Sequence, residues 1–285
     1  MKSRWIINIL LLVAIGALSL IAHFMPGTNE QPEAVPITSL GKDQLRRIHI
    51  NRPIREDLVL LKNAAGSWDI DRSPVLPADR LQMNALLNLA EQPAVRSYPA
   101  AELQLSQLQL APPYATVFLN DTAVEFGNLE PIEGLRYVRV GDRVHLIPDN
   151  YMQLIELNYT QFVRRALFEK GARIEAITLP GISLRKTDQK WNVEPAQEVS
   201  ADELQAFIDR WQNATSFNIQ TAAAAKGSET VEIKFKDSKN RIKFLIASRE
   251  PELVLVRPDL GIQYRMGNAG SKLLTLAPPA TKTKQ

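Results

Sequence analysis

The chain has 285 residues, 45% hydrophobic and 23% charged, which suffices for two domains of ordinary size with a genuine core. Its formal charge is only +3, from 34 Lys and Arg against 31 Asp and Glu, and setting aside Lys2 and Arg4 leaves +1, too balanced for a nucleic-acid footprint. It has no cysteine, which excludes thiol catalysis, a disulfide framework, a lipid-modified cysteine anchor and cysteine-ligated zinc or iron–sulfur.

From Trp5 to Phe24 the chain runs for twenty residues without Asp, Glu, Lys or Arg. At about 1.5 Å per helical residue that length crosses the roughly 30 Å hydrocarbon core of a bilayer. Lys2 and Arg4 precede it and no further Lys or Arg occurs before Lys42, so the positive-inside asymmetry places the N-terminus in the cytoplasm and the bulk of the chain outside it. A cleaved signal peptide is the competing reading, with Ala14-Ile15-Gly16 as a small-x-small site. Cleavage there would leave the mature chain beginning on the apolar run Ala17 to Phe24, and the retained anchor is preferred. Pro26 to Pro36, with three prolines and two glutamates, suits an extended stalk.

Beyond the stalk, Arg47 to Asn51 alternates as a half-buried strand does. Internal similarity follows. Val59 to Lys62 and Trp68-Asp69-Ile70 recur as Ile182 to Arg185 and Trp191-Asn192-Val193, at a constant offset of 123. Each pair predicts a two-stranded hairpin whose second strand carries a tryptophan. A helix follows each hairpin. Ser200 and Glu203 form a capping box ahead of the stripe Leu204, Phe207, Ile208 and Trp211, and Pro77 opens a helix with the stripe Met83, Leu86, Leu87 and Ala90. The stripes correspond at an offset of 121, whereas the identities Ala78-Asp79 and Leu81-Gln82 with Ala201-Asp202 and Leu204-Gln205 keep 123; the stripes are preferred, because burial decides how a helix docks.

Four strands then follow in each copy: Thr116 to Leu119, Val124 to Gly127, Tyr137 to Val140 and Val144 to Ile147, and Val231 to Phe235, Ile242 to Ile246, Leu253 to Val256 and Gln263 to Met266. Tyr159 to Lys170 is expected to bridge the copies as a helix carrying Phe162, Ala166 and Leu167. The predicted fold class is α+β, an N-terminal transmembrane helix followed by two tandem copies of a hairpin–helix–antiparallel meander unit. The expected boundaries are a cytoplasmic tip and membrane helix at 1–24, a linker at 25–45, repeats at 46–158 and 159–277, and a disordered tail at 278–285.

The segment Leu103 to Pro113, Ala115-Thr116-Val117, Phe126-Gly127, Gly134 to Val140 and Val144 to Ile147 resembles the DUF4340 family of bacterial envelope proteins, over a stretch from about Leu58 to the end of the second copy. One departure is that the family often has a Tyr-Gly or Phe-Gly step before Pro-Pro, where this chain has Leu108-Gln109-Leu110. The resemblance implies an N-terminally anchored extracytoplasmic domain, in some cases encoded beside ABC-type transport components, and it supplies no catalytic residues.

Few residues point to chemistry. The three histidines, His23, His49 and His145, lack metal-ligand spacing, and there is no phosphate loop, nucleophile elbow or zincin motif. Asp69 and Asp71 share a strand face and could form an acid–base pair, but the second copy has Asn192 and Glu194 there, which favours a solvated face. Glu130 and Glu133 are two carboxylates where calcium needs six to eight oxygens. Trp68 and Trp191 suit core anchors better than sugar platforms. No catalytic, cofactor-binding or metal residue is assigned, and no cofactor is expected.

Charge is unevenly placed. Residues 25–160 carry 12 basic and 17 acidic residues and 161–285 carry 20 and 14, so the halves stand at −5 and +6. Either they attract one another, or the basic half, with Lys234, Lys236 and Lys243, meets an acidic partner or anionic headgroups. The expected function is a non-enzymatic inner-membrane scaffold or accessory subunit for an ABC-type transport system. It would hold the bilayer through residues 5–24, keep its bulk in the periplasm and bind a protein partner such as a transporter, with no nucleic acid. The alternative is a periplasmic binding module for glycan or peptide in a cleft between the copies.

Overall fold

The computed structural model describes residues 11–16, 19, 35–188, 190–222, 229–236, 238 and 241–276. Residues 11–16 and 19 are helical, with Leu11, Leu12, Val13 and Ile15 exposed. The remainder of the 5–24 stretch, His23, residues 25–34 of the linker and the tail at 278–285 lie outside the described residues. Among the described residues no helix is long and apolar enough to cross a membrane.

The structure is α+β, built mostly of antiparallel sheet with few helices. The first sheet comprises β1 (Arg47–Asn51), β2 (Leu58–Lys62), β3 (Trp68–Ile70), β4 (Leu76–Pro77), β5 (Arg96–Pro99), β6 (Ala115–Leu119), β7 (Thr122–Leu129), β8 (Leu135–Val140) and β9 (Arg143–Pro148), with helix α1 (Arg80–Leu87) between β4 and β5. Two short helices, α2 (Met152–Ile155) and α3 (Tyr159–Phe162), lead to the second sheet. That sheet comprises β10 (Ile174–Leu179), β11 (Ile182–Thr187), β12 (Lys190–Glu194), β13 (Asn218–Thr221), β14 (Thr230–Phe235), β15 (Arg241–Ser248), β16 (Val254–Arg257) and β17 (Ile262–Arg265), with α4 (Ala201–Gln212) between β12 and β13.

The strand orders are β4-β3-β2-β1-β6-β7-β8-β9-β5 and β12-β11-β10-β14-β15-β16-β17-β13, identical apart from the extra edge strand β4. In each, three strands form one side, a helix carries the chain across, one strand lands on the far edge, and a four-strand meander fills the middle. The expected hairpin–helix–meander unit therefore omits β5, β10 and β13, while β1 stands where the strand Arg47 to Asn51 is expected but belongs to the repeated unit. β1 and β10 pair with both the hairpin and the meander, and β5 and β13 close the far edge against β9 and β17.

Pairing corrects the constant offset of 123. Leu60 faces Ile70 and Leu184 faces Val193, so β2 corresponds to β11 at an offset of 124 while β3 corresponds to β12 at 123. The second hairpin loop is one residue shorter. The burial of Leu60 and Leu184 fixes this register, because a one-residue slip would turn each strand's apolar side outward.

The helices obey the offset of 121. Asp79 caps α1 by accepting from the backbone N–H of Leu81 and Gln82, and Ser200 caps α4 in a capping box with Glu203. Leu81, aligned with Leu204 at 123, is 78% exposed, whereas Leu204 is 7% exposed. Pro77 lies in β4 and does not open the helix. The bridging helix is also shorter than expected. It ends after Phe162, Val163 is extended and forms an isolated bridge with Ala78, and Arg164 N–H donates to Pro77 O at 2.8 Å. Edge pairing with the first unit competes with helix over 163–170.

One cluster of buried apolar side chains runs through both units, with Ile48, Leu60, Val117 and Phe126 in the first and Leu184, Val231, Phe244 and Leu255 in the second. The linker expected to reach residue 45 instead hydrogen-bonds to the first unit from Val35, whose carbonyl accepts from Ala94 N–H at 3.0 Å, and packs from Ile37 onward. Pro36 bridges Pro93, Ile37 N–H donates to Gln92 O at 2.9 Å, and Ile37 and Leu45 are buried.

The leucine-rich segment of the first unit crosses the opposite face of the sheet. Asn128 N–H donates to Leu108 O at 2.9 Å, and Leu110 is buried outside the main core, as are Val144 and Leu146. The Phe126-Gly127 step now has a physical reason, since the Leu108 carbonyl rests where a side chain at Gly127 would begin. The absent glycine before Pro-Pro has one too: Gln109 sits at φ 51, in the left-handed region that favours glycine. Gln109→Gly is expected to raise stability by about 0.5 to 1 kcal/mol, read as an increase in Tm.

Candidate functional site

The residues singled out for chemistry disperse on folding. Asp69 accepts from Asn63 Nδ2 at 2.9 Å, while Asp71 lies past the end of β3 and is exposed, so the two do not form an acid–base pair. Glu130 accepts from the Glu133 backbone N–H at 2.7 Å, and Glu133 takes a two-pronged pair from Arg96 at 2.9 and 3.0 Å, which makes this loop a tied turn. Among the described residues no cluster of three or more His, Cys, Asp or Glu could hold a metal ion. His49 stacks on Phe118 and contacts Asp57 at 2.7 Å on the outer face of the first sheet. Burial would raise the Asp57 carboxyl, but its hydrogen bonds from His49 and Asn51 outweigh that and hold it below the usual range.

The tryptophans divide. Trp68 is 8% exposed and belongs to the core, with its carbonyl taken by Ala78 N–H at 2.9 Å, because β4 extends the sheet beyond β3. Trp191 stands at the equivalent place on an edge strand with no such cover. It packs against the core on one side and lines a 460 Å³ cleft on the other, so the core-anchor expectation holds for Trp68 and only partly for Trp191. Arg173, Lys186, Lys236 and Ile208 share that cleft, and the Lys186 ammonium lies 5.8 Å from the Trp191 ring centroid. The Trp191 indole N–H has no hydrogen-bond partner among the described residues. This cleft lies within the second unit between α4 and the sheet edge, not between the copies. Lys236 belongs to it, having left β14, whereas Lys234 and Lys243 project from the outer face of the second sheet.

A second, larger cavity of 850 Å³ lies where the segment 35–41 passes over the end of the first sheet. Val35, Ile37, Leu40 and Val140 supply apolar walls, and Ser97, Arg143 and His145 supply polar ones. Ser97 Oγ lies 2.7 Å from His145 Nδ1 across the β5–β9 pair. Burial, with Arg143 nearby, pushes the His145 imidazole below the usual histidine value, which keeps it neutral near pH 7. The sequence offers His145 only as one alternating residue in a strand, so its partner was not legible there.

Electrostatics resolves one question left by the composition. Each ion pair among the described residues stays inside its own half, for example Arg136–Asp149 at 2.7 Å and Lys234–Glu175 at 2.8 Å. Tyr159 links the units instead, with the Arg72 guanidinium 3.7 Å from its ring centroid and its Oη 2.7 Å from Thr221 Oγ1.

The arrangement defines a duplicated antiparallel α+β protein with two clefts and, among the described residues, no converging catalytic carboxylates or metal ligands. The family model described as a domain of unknown function, DUF4340, matches residues 68–240, more than half of the chain, and the chain belongs to that family. The match starts in β3 and ends after β14, a narrower span than the motifs suggest. No curated protein and no solved structure matches the chain.

Proposed function

We propose that this protein is a non-catalytic, membrane-anchored extracytoplasmic accessory subunit or scaffold that docks an acidic partner in the envelope, such as a component of an ABC-type transport system. The observation that carries the reading is the outer face of the second sheet. Arg185, Ala176, Lys234 and Arg241 lie in register across four strands, and Lys243 lies one row away. Lys234 and Arg241 are paired with Glu175 at 2.8 Å and Glu232 at 3.4 Å, whereas Arg185 and Lys243 are exposed and have no ion pair among the described residues. The charge of Arg185 and Lys243 is therefore not spent on the contact between units, and an acidic surface would find it available. The uncharged run at residues 5–24, with basic residues only on its N-terminal side, supports the anchor and the orientation.

Two measurements test this reading. A reporter active only outside the cytoplasm, fused after Gln285, is expected to be active, and activity confined to the cytoplasm refutes the topology. Full-length protein crosslinked in intact cells and purified in mild detergent is expected to retain a membrane partner, with the association weakened by salt and lost in Arg185→Glu/Lys243→Glu. An association indifferent to both refutes the docking face. The second reading, a binding module for glycan or peptide, is favoured by the half-buried Trp191 ring on its cleft, and predicts that Trp191→Ala abolishes ligand binding with little change in Tm.

A further inference from the structure

Because the two sheets share one strand order, each position in the first has a counterpart in the second, and the cavity under residues 35–41 can be compared with its twin. Ser97 faces His145 as Ile219 faces Tyr264, and Val140 faces Arg143 as Arg257 faces Ile262. In the second sheet Ile219, Ile262 and Tyr264 are buried apolar packing. In the first, the same three places hold Ser97, Arg143 and His145, and all three line the cavity. The second copy thus fills the site with large side chains and carries its arginine on the neighbouring strand, at Arg257 held by Asp259 at 2.6 Å, whereas the first leaves a cavity lined by hydrogen-bonding groups. His145 is buried and Ser97 half-buried, while Arg143 is exposed; burying the Ser97–His145 pair where a packed alternative exists costs stability, so the cavity suits a ligand that satisfies it.

His145 sharpens the point. It is only 7% exposed, its Nδ1 is taken by Ser97, and its Nε2 has no hydrogen-bond partner among the described residues. In the tautomer in which the Ser97 hydroxyl donates to Nδ1, the ring presents an N–H donor at Nε2, the form that a carboxylate selects. Arg143 adds a cation that no ion pair satisfies among the described residues. Asp142 and Glu91 also stand at the cavity, Glu91 held by Lys42 at 3.0 Å, so the lining disfavours a multiply charged anion. The apolar walls require a hydrocarbon body. We propose that the cavity binds a monocarboxylate with an apolar chain, such as a medium-chain acyl carboxylate, with its head on His145 and Arg143 and its tail along Val35, Ile37, Leu40 and Val140.

The test uses full-length protein in lipid nanodiscs, with sodium decanoate and 1-decanol as probes. Decanoate is expected to raise the melting temperature by about 4 °C at saturation and decanol to do much less. In ¹⁵N-histidine spectra, decanoate should shift the His145 ring signals saturably while His49, on the opposite face of the sheet, stays in place. Ser97→Ile/His145→Tyr, which installs the second sheet's own pair, is expected to keep or raise the melting temperature and to lose the response to decanoate. Arg143→Ala should weaken decanoate binding about tenfold and leave decanol unaffected. Equal effects of the two probes, equal shifts of both histidines, or no shift of either would overturn the proposal. So would a melting temperature lowered by several degrees in the double variant, because the polar pair would then be packing.

Discussion

Trp211→Ala is expected to destabilise the second unit by about 3 to 5 kcal/mol, a large part of the 5 to 15 kcal/mol that typically holds a domain folded. The ring is fully buried, 6.5 Å from Phe244 between centroids, and its indole N–H donates to the Leu273 carbonyl at 2.9 Å. Truncation empties the space of an entire indole and also strips a buried carbonyl of its donor, which adds to the cost. It further severs α4 from the C-terminal 3-10 turn over Gly267–Leu273. Trp191→Ala supplies the comparison. That ring is only partly buried and its N–H has no partner among the described residues, so it should cost much less. Chemical denaturation of both variants checks the ordering, and equal losses would contradict the different settings of the two rings.

Gly127→Ala is expected to cost about 2 to 3 kcal/mol although it adds one methyl group. A Cβ there would overlap the Leu108 carbonyl oxygen and approach Leu110 Cγ to 3.0 Å. Neither neighbour is free to retreat. The Leu108 carbonyl is held by Asn128 N–H, Asn128 Nδ2 donates to Gln107 O at 3.1 Å, and Leu110 is buried beneath the same segment. The backbone must lift off β7 as a whole, exposing Leu110. Loss of protection from hydrogen exchange at Asn128, with little change in the second sheet, would locate the damage. Unchanged stability would show that the leucine-rich segment is only loosely laid on the sheet.

Much of this architecture is legible in the chain because strands and helices announce themselves through local periodicity. The eight meander strands fall close to their predicted places, since alternation with period two survives whatever the neighbours are. The stripe offset of 121 is right because docking a helix depends on which side chains are apolar, while the chance identities at 123 put Leu81 in solvent. The capping box at Ser200 and Glu203 is as local a signal and reads as directly.

Tertiary structure decided what depends on partners distant in sequence. β5 and β13 are four residues each and carry no strong alternation; they are strands because an edge of β9 or β17 awaits them. The one-residue shift between β2 and β11 follows from which leucine reaches the core. Trp68 and Trp191 share a sequence context, yet only the first has β4 beyond it, so one is sealed and the other lines a cleft. His145 and Ser97 are 48 residues apart and become neighbours only when β5 crosses to the far edge. A sequence specifies each strand's faces through local alternation, but which polar residues meet in a cavity is set by long-range pairing, and that is written in no single stretch of the chain.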